Sequence, residues 1–592
     1  MGYDLKIENG VLIDGRGADR RQANIGVKDG AIVEIGRCDG VATEVIDAEG
    51  AIVTPGFVDI HTHYDGQVSW DDELAPSCFH GVTTAVLGSC GVGFAPVRER
   101  DHERLIALME GVEDIPGTAL AEGLTWDWES FPEYMAALDS RPHAIDFATQ
   151  VPHDALRVYV MGERAIELRD ATDDDIAAMR RLLREALDAG AAGFSTGRTD
   201  NHRAADGTPT PSSEATKLEL SGIARAFEGL SHGVLQAVSD FDMVESHKLF
   251  DAEFDVLEAM VAAADGHALS ISLMQRGNDT RQWRRMIARA EAAVAKGLNL
   301  RLQVAARGIG VLLGLQATFH PFMGFPSYKR ISSLPLAERV ARMRNAEFKA
   351  QLLREKSEPV AGDGSPIPPI ADQFLAHLDF VAMRLYRLGG DFDYEPDPQR
   401  SILAESMRSG IPALELIYDA MLEDDGRELL YFPIYNYLDQ NLDAVHEMLC
   451  HPLALPGLSD GGAHVGTICD ASFPTFMLTH WTRDRVRGPQ LALERVIQMM
   501  TGDTAAFMGF HDRGTLEVGK RADINVIDLA KLRLARPRMV NDLPAGGRRL
   551  MQDASGYRAT IVRGERVIAD DRLTSARPGH LVRPGRLGRR NG

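Results

Sequence analysis

The segment GFVDIHTHYD, residues 56–65, ends an apolar run in two histidines, His61 and His63, with one residue between them. Side chains at i and i+2 of a strand lie on one side, so both imidazoles can face a single point. Three other apolar runs also end in a residue able to ligate a metal: Cys90 after TTAVLGS, His153 after IDFATQVP and Asp460 after ALPGLS. Thiolate, imidazole and carboxylate are the ligands zinc takes. Each has an ordinary alternative taken singly: a packed histidine, a buried thiol, a turn aspartate before Gly461 and Gly462. Their joint placement at the ends of predicted strands points to a metal centre. Such a centre acidifies a bound water toward a pKa of ~7.

Positioning these residues requires a scaffold, and short β-branched runs alternate with amphipathic stretches along the chain. Eight runs read as strands: 56–60, 83–88, 145–151, 191–196, 233–238, 268–273, 298–304 and 454–459. Between them lie helical stretches such as 172–190, with a Thr cap, an acidic first turn and a closing Gly, and 279–297, read in the same way with Asp and Gly. An α/β class with a TIM-like (β/α)8 barrel follows from the count; alternation alone also fits a doubly wound open sheet. A barrel would gather function at the C-terminal ends of its strands. Residues 3–55 and 514–570 both read as short strands with Gly turns, and the chain ends 1–55 and 510–592 are expected to pair into one small β-sandwich, leaving 56–509 to the barrel. A stretch of about 305–450 separates the seventh and eighth strands. Its place after a strand's C-terminal end reads as a lid, with a packing or oligomer-contact insertion as the alternative.

Composition limits the partners. A net charge of −22 over 592 residues argues against binding a phosphate backbone, so no nucleic acid is expected. The opening MGYDLKIENG has no apolar signal core, and no run is long enough for a membrane span, so a cytoplasmic location is expected. The five cysteines, Cys38, Cys78, Cys90, Cys450 and Cys469, are few and irregularly spaced, which reads as reduced thiols. The expected partner is a small molecule; self-association into a homo-oligomer stays open.

The stretches TPGFVDIHTHYD, GVTTAVLGSCGVGFAP, GAAGFSTG, GLSDGGAH and MTGDTAAFMGFHDRGTLEVGKRADINVIDL together resemble the amidohydrolase superfamily, and within it the N-acyl-D-amino-acid deacylases, or D-aminoacylases. The resemblance runs over nearly the whole chain. It implies a metal-bearing barrel beside a β-sandwich made by both termini. It also implies that His61 and His63 are metal ligands, Cys90 a thiolate ligand that can bridge two metals, and Asp460 both ligand and proton shuttle. Two histidines expected of the family are not matched: Ser239 stands at the end of strand five, and Leu273, Met274 and Gln275 at the end of strand six. Leu and Met cannot replace imidazole on zinc, so one tightly bound Zn²⁺ is expected rather than two. Gln275 also replaces a lysine expected to hold the substrate carboxylate.

Candidate substrate-binding residues are therefore His153, Gln275 and the arginines Arg198, Arg276 and Arg307, whose guanidinium fork suits a carboxylate. Three readings follow: a metal-dependent hydrolase of an N-acyl amino acid; a hydrolase of a cyclic amide, carbamate or ester; and a catalytically weak metal-binding protein.

Overall fold

The computed structural model describes residues 2–243, 246–277, 279–362, 367–368, 370–390 and 392–586. Its central element is a parallel eight-stranded sheet whose spatial order follows the sequence. The strands are Phe57–Asp59, Val82–Leu87, Asp146–Pro152, Gly193–Arg198, Val234–Ser239, Leu269–Leu273, Leu300–Val304 and Ala454–Pro456. These are the eight runs read from the sequence. The ring closes where Thr62 and Gly461 form a parallel bridge and His63 N–H donates to Gly461 O at 2.7 Å. Ser459 strengthens the seam by donating to Asp59 Oδ2. First and last strands thus meet at the residues that carry His61, His63 and Asp460.

The helices between strands bury one face and cap themselves. Asp173–Ala189 begins with a reciprocal capping box between Thr172 and Asp175 and ends on Gly190 at φ +106°, a backbone state that favours glycine. The stretch 279–297 starts later than expected, at Gln282. Asp279 accepts Arg281 N–H in a preceding turn instead of capping the helix. Phe147 and Phe194 are fully buried on the barrel strands; burial of such a side chain contributes about 1.5–3 kcal/mol.

Both chain ends build one nine-stranded sheet. Ile52–Pro55 from the first segment pairs antiparallel with Ile524–Ile527 from the second. Leu5, Ile7, Ile25, Val53, Val526 and Ile561 fill its core from both segments. The final stretch leaves this sheet. Residues 579–582 return to the third barrel strand, where Phe147 N–H donates to His580 O and Val582 N–H to Phe147 O. Asp146, paired with Arg513 and Arg521, accepts His580 N–H. The reason is electrostatic as well as steric: a fully buried aspartate on strand three needs both arginines and the amide.

The insertion between strands seven and eight contains a three-stranded antiparallel sheet, Ile309–Leu313, Tyr386–Arg387 and Leu430–Tyr435, with helices including Leu336–Met343, Ile402–Ser409 and Ala413–Met421. Leu313, Phe322, Ile417, Tyr418 and Leu430 give it a core of its own. Within the Pro-rich stretch 362–374, residues 363–366 and 369 lie outside those described. Among the described residues, no helix is long and apolar enough to cross a membrane.

Candidate metal centre

His61 and His63 follow the first strand, and Asp460 follows the eighth across the closing seam. Cys90 reaches the same point through a tight turn after strand two. Gly88 and Gly91 both have positive φ there, and Cys90 itself sits at φ +56°. A Cβ on Gly88 would lie 2.3 Å from Gln150 O, and one on Gly91 2.7 Å from Gly197 N. Only glycine lets this turn press against strands three and four. Gln236 Oε1 accepts Cys90 N–H at 2.7 Å and fixes the turn.

The ligand atoms of His61, His63 and Cys90 lie within 4.8 Å of one another. His61 Nε2 is 3.3 Å from Cys90 Sγ and 3.3 Å from Asp460 Oδ1, while His63 Nε2 is 3.8 Å from the same Asp460 oxygen. Those separations match the edges of a tetrahedron with metal–ligand bonds of about 2.0–2.3 Å. Both imidazoles turn Nε2 inward, His61 with its Nδ1 hydrogen-bonded and His63 with its Nδ1 facing a carboxylate. His61 Nδ1 lies 2.7 Å from Gln303 Oε1, whose own amide nitrogen donates to Ser270 Oγ at 2.8 Å. The Gln303 oxygen therefore accepts, and the proton sits on Nδ1. His63 Nδ1 lies 3.0 Å from Glu113 Oε1. A carbonyl or carboxylate behind each imidazole is how proteins orient metal ligands.

Burial shapes the electrostatics. It pushes the Cys90 thiol up and the Asp460 carboxyl up to about 7, with His63 opposing the latter. It also pushes His61 down to about 3, with the charge of His63 adding to the effect. Burial alone would raise Glu113, yet His63 and His464 hold it at about 2. A divalent cation at the focus favours deprotonated thiol and carboxylate and neutral imidazole together. The donor set fits one such ion. Its open side is toward Asp460, 14% exposed at the side chain against 0% for His61 and 3% for His63.

At the ends of strands five and six, Ser239 and Leu273 offer no imidazole where the resemblance implies histidines. Ser239 Oγ donates to Glu253 Oε2, and Glu253 takes a two-pronged ion pair from Arg198. Leu273 is fully buried.

The five residues read as substrate contacts each have partners within the chain, while Arg276 Nε and Arg307 Nε and Nη1 keep no hydrogen-bond partner among the described residues. His153 is fully buried, with Nδ1 at Thr196 Oγ1 and Nε2 at Glu219 Oε1, so neither ring nitrogen is left for a ligand. Arg198 spends its guanidinium on Glu253 and Ala215 O. Arg276 donates to the backbone carbonyls of Ser239 and Asp240. Arg307 donates to Asp470 and Cys469 O, and stacks on Tyr394 at 3.5 Å. Gln275 grips the returning insertion, donating to Asp439 and accepting Leu438 N–H. As one consequence, His153→Ala should lower stability by about 1–3 kcal/mol, because it strips a buried carboxylate of a partner. Melting temperature should fall while metal per folded chain, measured by elemental analysis, stays the same.

Glu113 and Gln303 were not read from the sequence. Glu113 carries a signal: Leu105, Leu108, Met109, Val112 and Glu113 are the buried positions of helix His102–Glu113, so an acid continues an apolar stripe. Gln303 carries a weaker one, as a polar residue within a strand whose neighbours Leu302 and Val304 are buried.

The description "Amidohydrolase family" matches residues 44–364 and 412–568. A D-aminoacylase of Alcaligenes xylosoxydans xylosoxydans is 27% identical over 98% of this chain and 97% of its own length. An N-acyl-D-aspartate deacylase of the same organism is 28% identical over 98% and 95%. The solved N-acyl-D-glutamate deacylase of Bordetella bronchiseptica, complexed with zinc and a phosphonate inhibitor, superposes with a TM-score of 0.63 at 24% identity, covering 98% of this chain and 100% of that one, and shares the fold. With the family match spanning most of the sequence and the barrel closed around a histidine, cysteine and aspartate cluster, the chain belongs to the amidohydrolase family.

Proposed function

We propose that this amidohydrolase cleaves the amide bond of an N-acyl amino acid at a single zinc ion held by His61, His63, Cys90 and Asp460. The observation that carries the reading is the convergence of two Nε2 atoms, one Sγ and one carboxylate oxygen at the seam of the barrel. The aligned relatives are named for removing acyl groups from D-amino acids. When bound, the ion supplies Lewis acidity to the carbonyl and makes the attacking water acidic.

The chain supplies the rest. Asp460, the most open of the four, takes a proton from the water with its free carboxylate oxygen and returns it to the leaving nitrogen. Gln303 and Glu113 keep His61 and His63 aimed while this happens. The insertion walls the site: Leu312 N–H donates to Thr467 O and Thr318 N–H to Gly466 O, joining it to the loop beyond Asp460. Clamped this way and at Gln275, it serves as a lid over the strand ends, excluding water from the reacting amide.

One observation favours a second reading, a hydrolase of a cyclic amide, carbamate or ester. Arg198 is committed to Glu253 and Ala215 O, and the donors that Arg276 and Arg307 have to spare are the buried nitrogens Arg276 Nε and Arg307 Nε and Nη1, which a substrate carboxylate would have to reach. A panel on metal-analysed enzyme separates the readings: N-acyl amino acids of both chiralities, N-acyl amines and a five- or six-membered cyclic amide. Release of free amino acid is the expected result. Ring opening alone would move the assignment to the second reading, and no turnover by metal-loaded protein would leave only a metal-binding role.

A further inference from the structure

Glu113 is fully buried at the end of an otherwise apolar helix face, and neither of its oxygens has a well-aligned hydrogen bond. Among the described residues its ion-pair contacts are imidazoles alone: His63 Nδ1 at 3.0 Å and His464 Nε2 at 3.9 Å. A buried carboxylate without Lys or Arg is costly to hold. Its helix ends there because the next turn is taken by the loop beyond Asp460, where Val465 N–H donates to Glu113 O and Gly466 N–H to Asp114 Oδ2. That loop also carries His464, at φ +47° and partly exposed, 6.3 Å from the His202 ring, which comes from the loop after strand four.

We propose that Glu113 is a positioning residue for the metal centre: it fixes His63 through Nδ1, raises the basicity of Nε2, and ties this ligand through His464 to the loop that carries Asp460. The inference rests on reading the cluster as a metal centre. With the ion bound and His63 neutral, the charge that compensates Glu113 is the cation on the far side of His63, so no Lys or Arg is needed there. The cost falls on the metal-free chain, where the carboxylate interrupts a stripe that Leu or Met would complete.

A purely structural Glu113 and a metal-positioning Glu113 predict opposite outcomes for Glu113→Met. Met matches the stripe and removes the buried charge. The metal-free variant should therefore melt no lower than the metal-free wild type, while its affinity for zinc, measured by competition with a chromophoric chelator, should fall about 10–100-fold. Zinc affinity within twofold of wild type would overturn the proposal, as would lost stability with affinity intact. If Glu113→Met fails to fold, Glu113→Gln, which keeps the volume but not the charge, takes the same affinity measurement, with weaker binding expected and unchanged binding overturning the idea. A wild-type chain that binds no divalent cation would instead sink the metal centre itself.

Discussion

Asp460→Asn should lower kcat by roughly 10²–10⁴-fold, the usual cost of losing a general base, with little change in melting temperature. The reasoning starts from shape. Asp460 leaves the eighth strand at φ +49°, and Gly461 and Gly462 follow it. A Cβ at Gly462 would lie 2.9 Å from His63 O, so the turn that aims Asp460 depends on glycine and not on the carboxylate. Asn fits this conformation almost as readily as Asp. Its amide can still place one oxygen near His61 and His63, but it cannot accept a proton. The Arg307–Asp470 pair, whose carboxylate acts on Asp460, is untouched by the change. Because one ligand oxygen survives, zinc content should fall less than activity. The checks are kcat and KM on the best substrate of the panel, zinc per chain and thermal melting. Near-normal kcat in the variant would end the proton-shuttle role, and proportional loss of zinc and activity would make Asp460 a ligand only.

The parts of this site that could be read from the sequence are those in which local order decides position. His61, His63, Cys90 and Asp460 each stand within a few residues of a short strand, and a parallel barrel sends every such residue to the same rim. The eight strands were legible for the same reason, since their side chains pack locally against neighbours in sequential order. Charged side chains with reach were not legible. Arg198, Arg276 and Arg307 looked available because nothing adjacent to them in sequence pairs with them. Their partners, Glu253, two backbone carbonyls at the end of strand five and Asp470, arrive only with the tertiary fold. Glu113 failed to register for the complementary reason. It comes from a helix rather than a strand end, and its meaning lies in His63, which no local pattern ties to it. The end of the chain followed the same logic: 579–582 was assigned with 510–592 to the terminal domain but pairs with the barrel at Asp146 and Phe147.

Chelator-treated enzyme should lose turnover by on the order of 10³-fold or more, since the ion supplies several kcal/mol of charge stabilisation, and about one equivalent of zinc should restore it. A second equivalent should add nothing. The argument turns on strands five and six. Ser239 hydroxyl is donated to Glu253, and Glu253 is neutralised by Arg198 through Nε and Nη2 at 2.8 and 2.7 Å, so this carboxylate is already paired. Leu273 offers no donor, and Gln275 is turned away toward Asp439 and Leu438. What faces the barrel mouth at these positions is hydrocarbon and an internal ion pair, and a cation placed there would compete with the Arg198 guanidinium for Glu253. His63→Ala, by contrast, removes one of two imidazoles and leaves Glu113 buried with only the distant His464, so zinc should be lost with turnover while the barrel stays folded. Titration of metal-free wild type with zinc, followed by activity and by elemental analysis after gel filtration, gives the count directly. A clear second break near two equivalents, with a further rise in rate, would mean that other donors complete a second centre and that the single-ion mechanism is wrong.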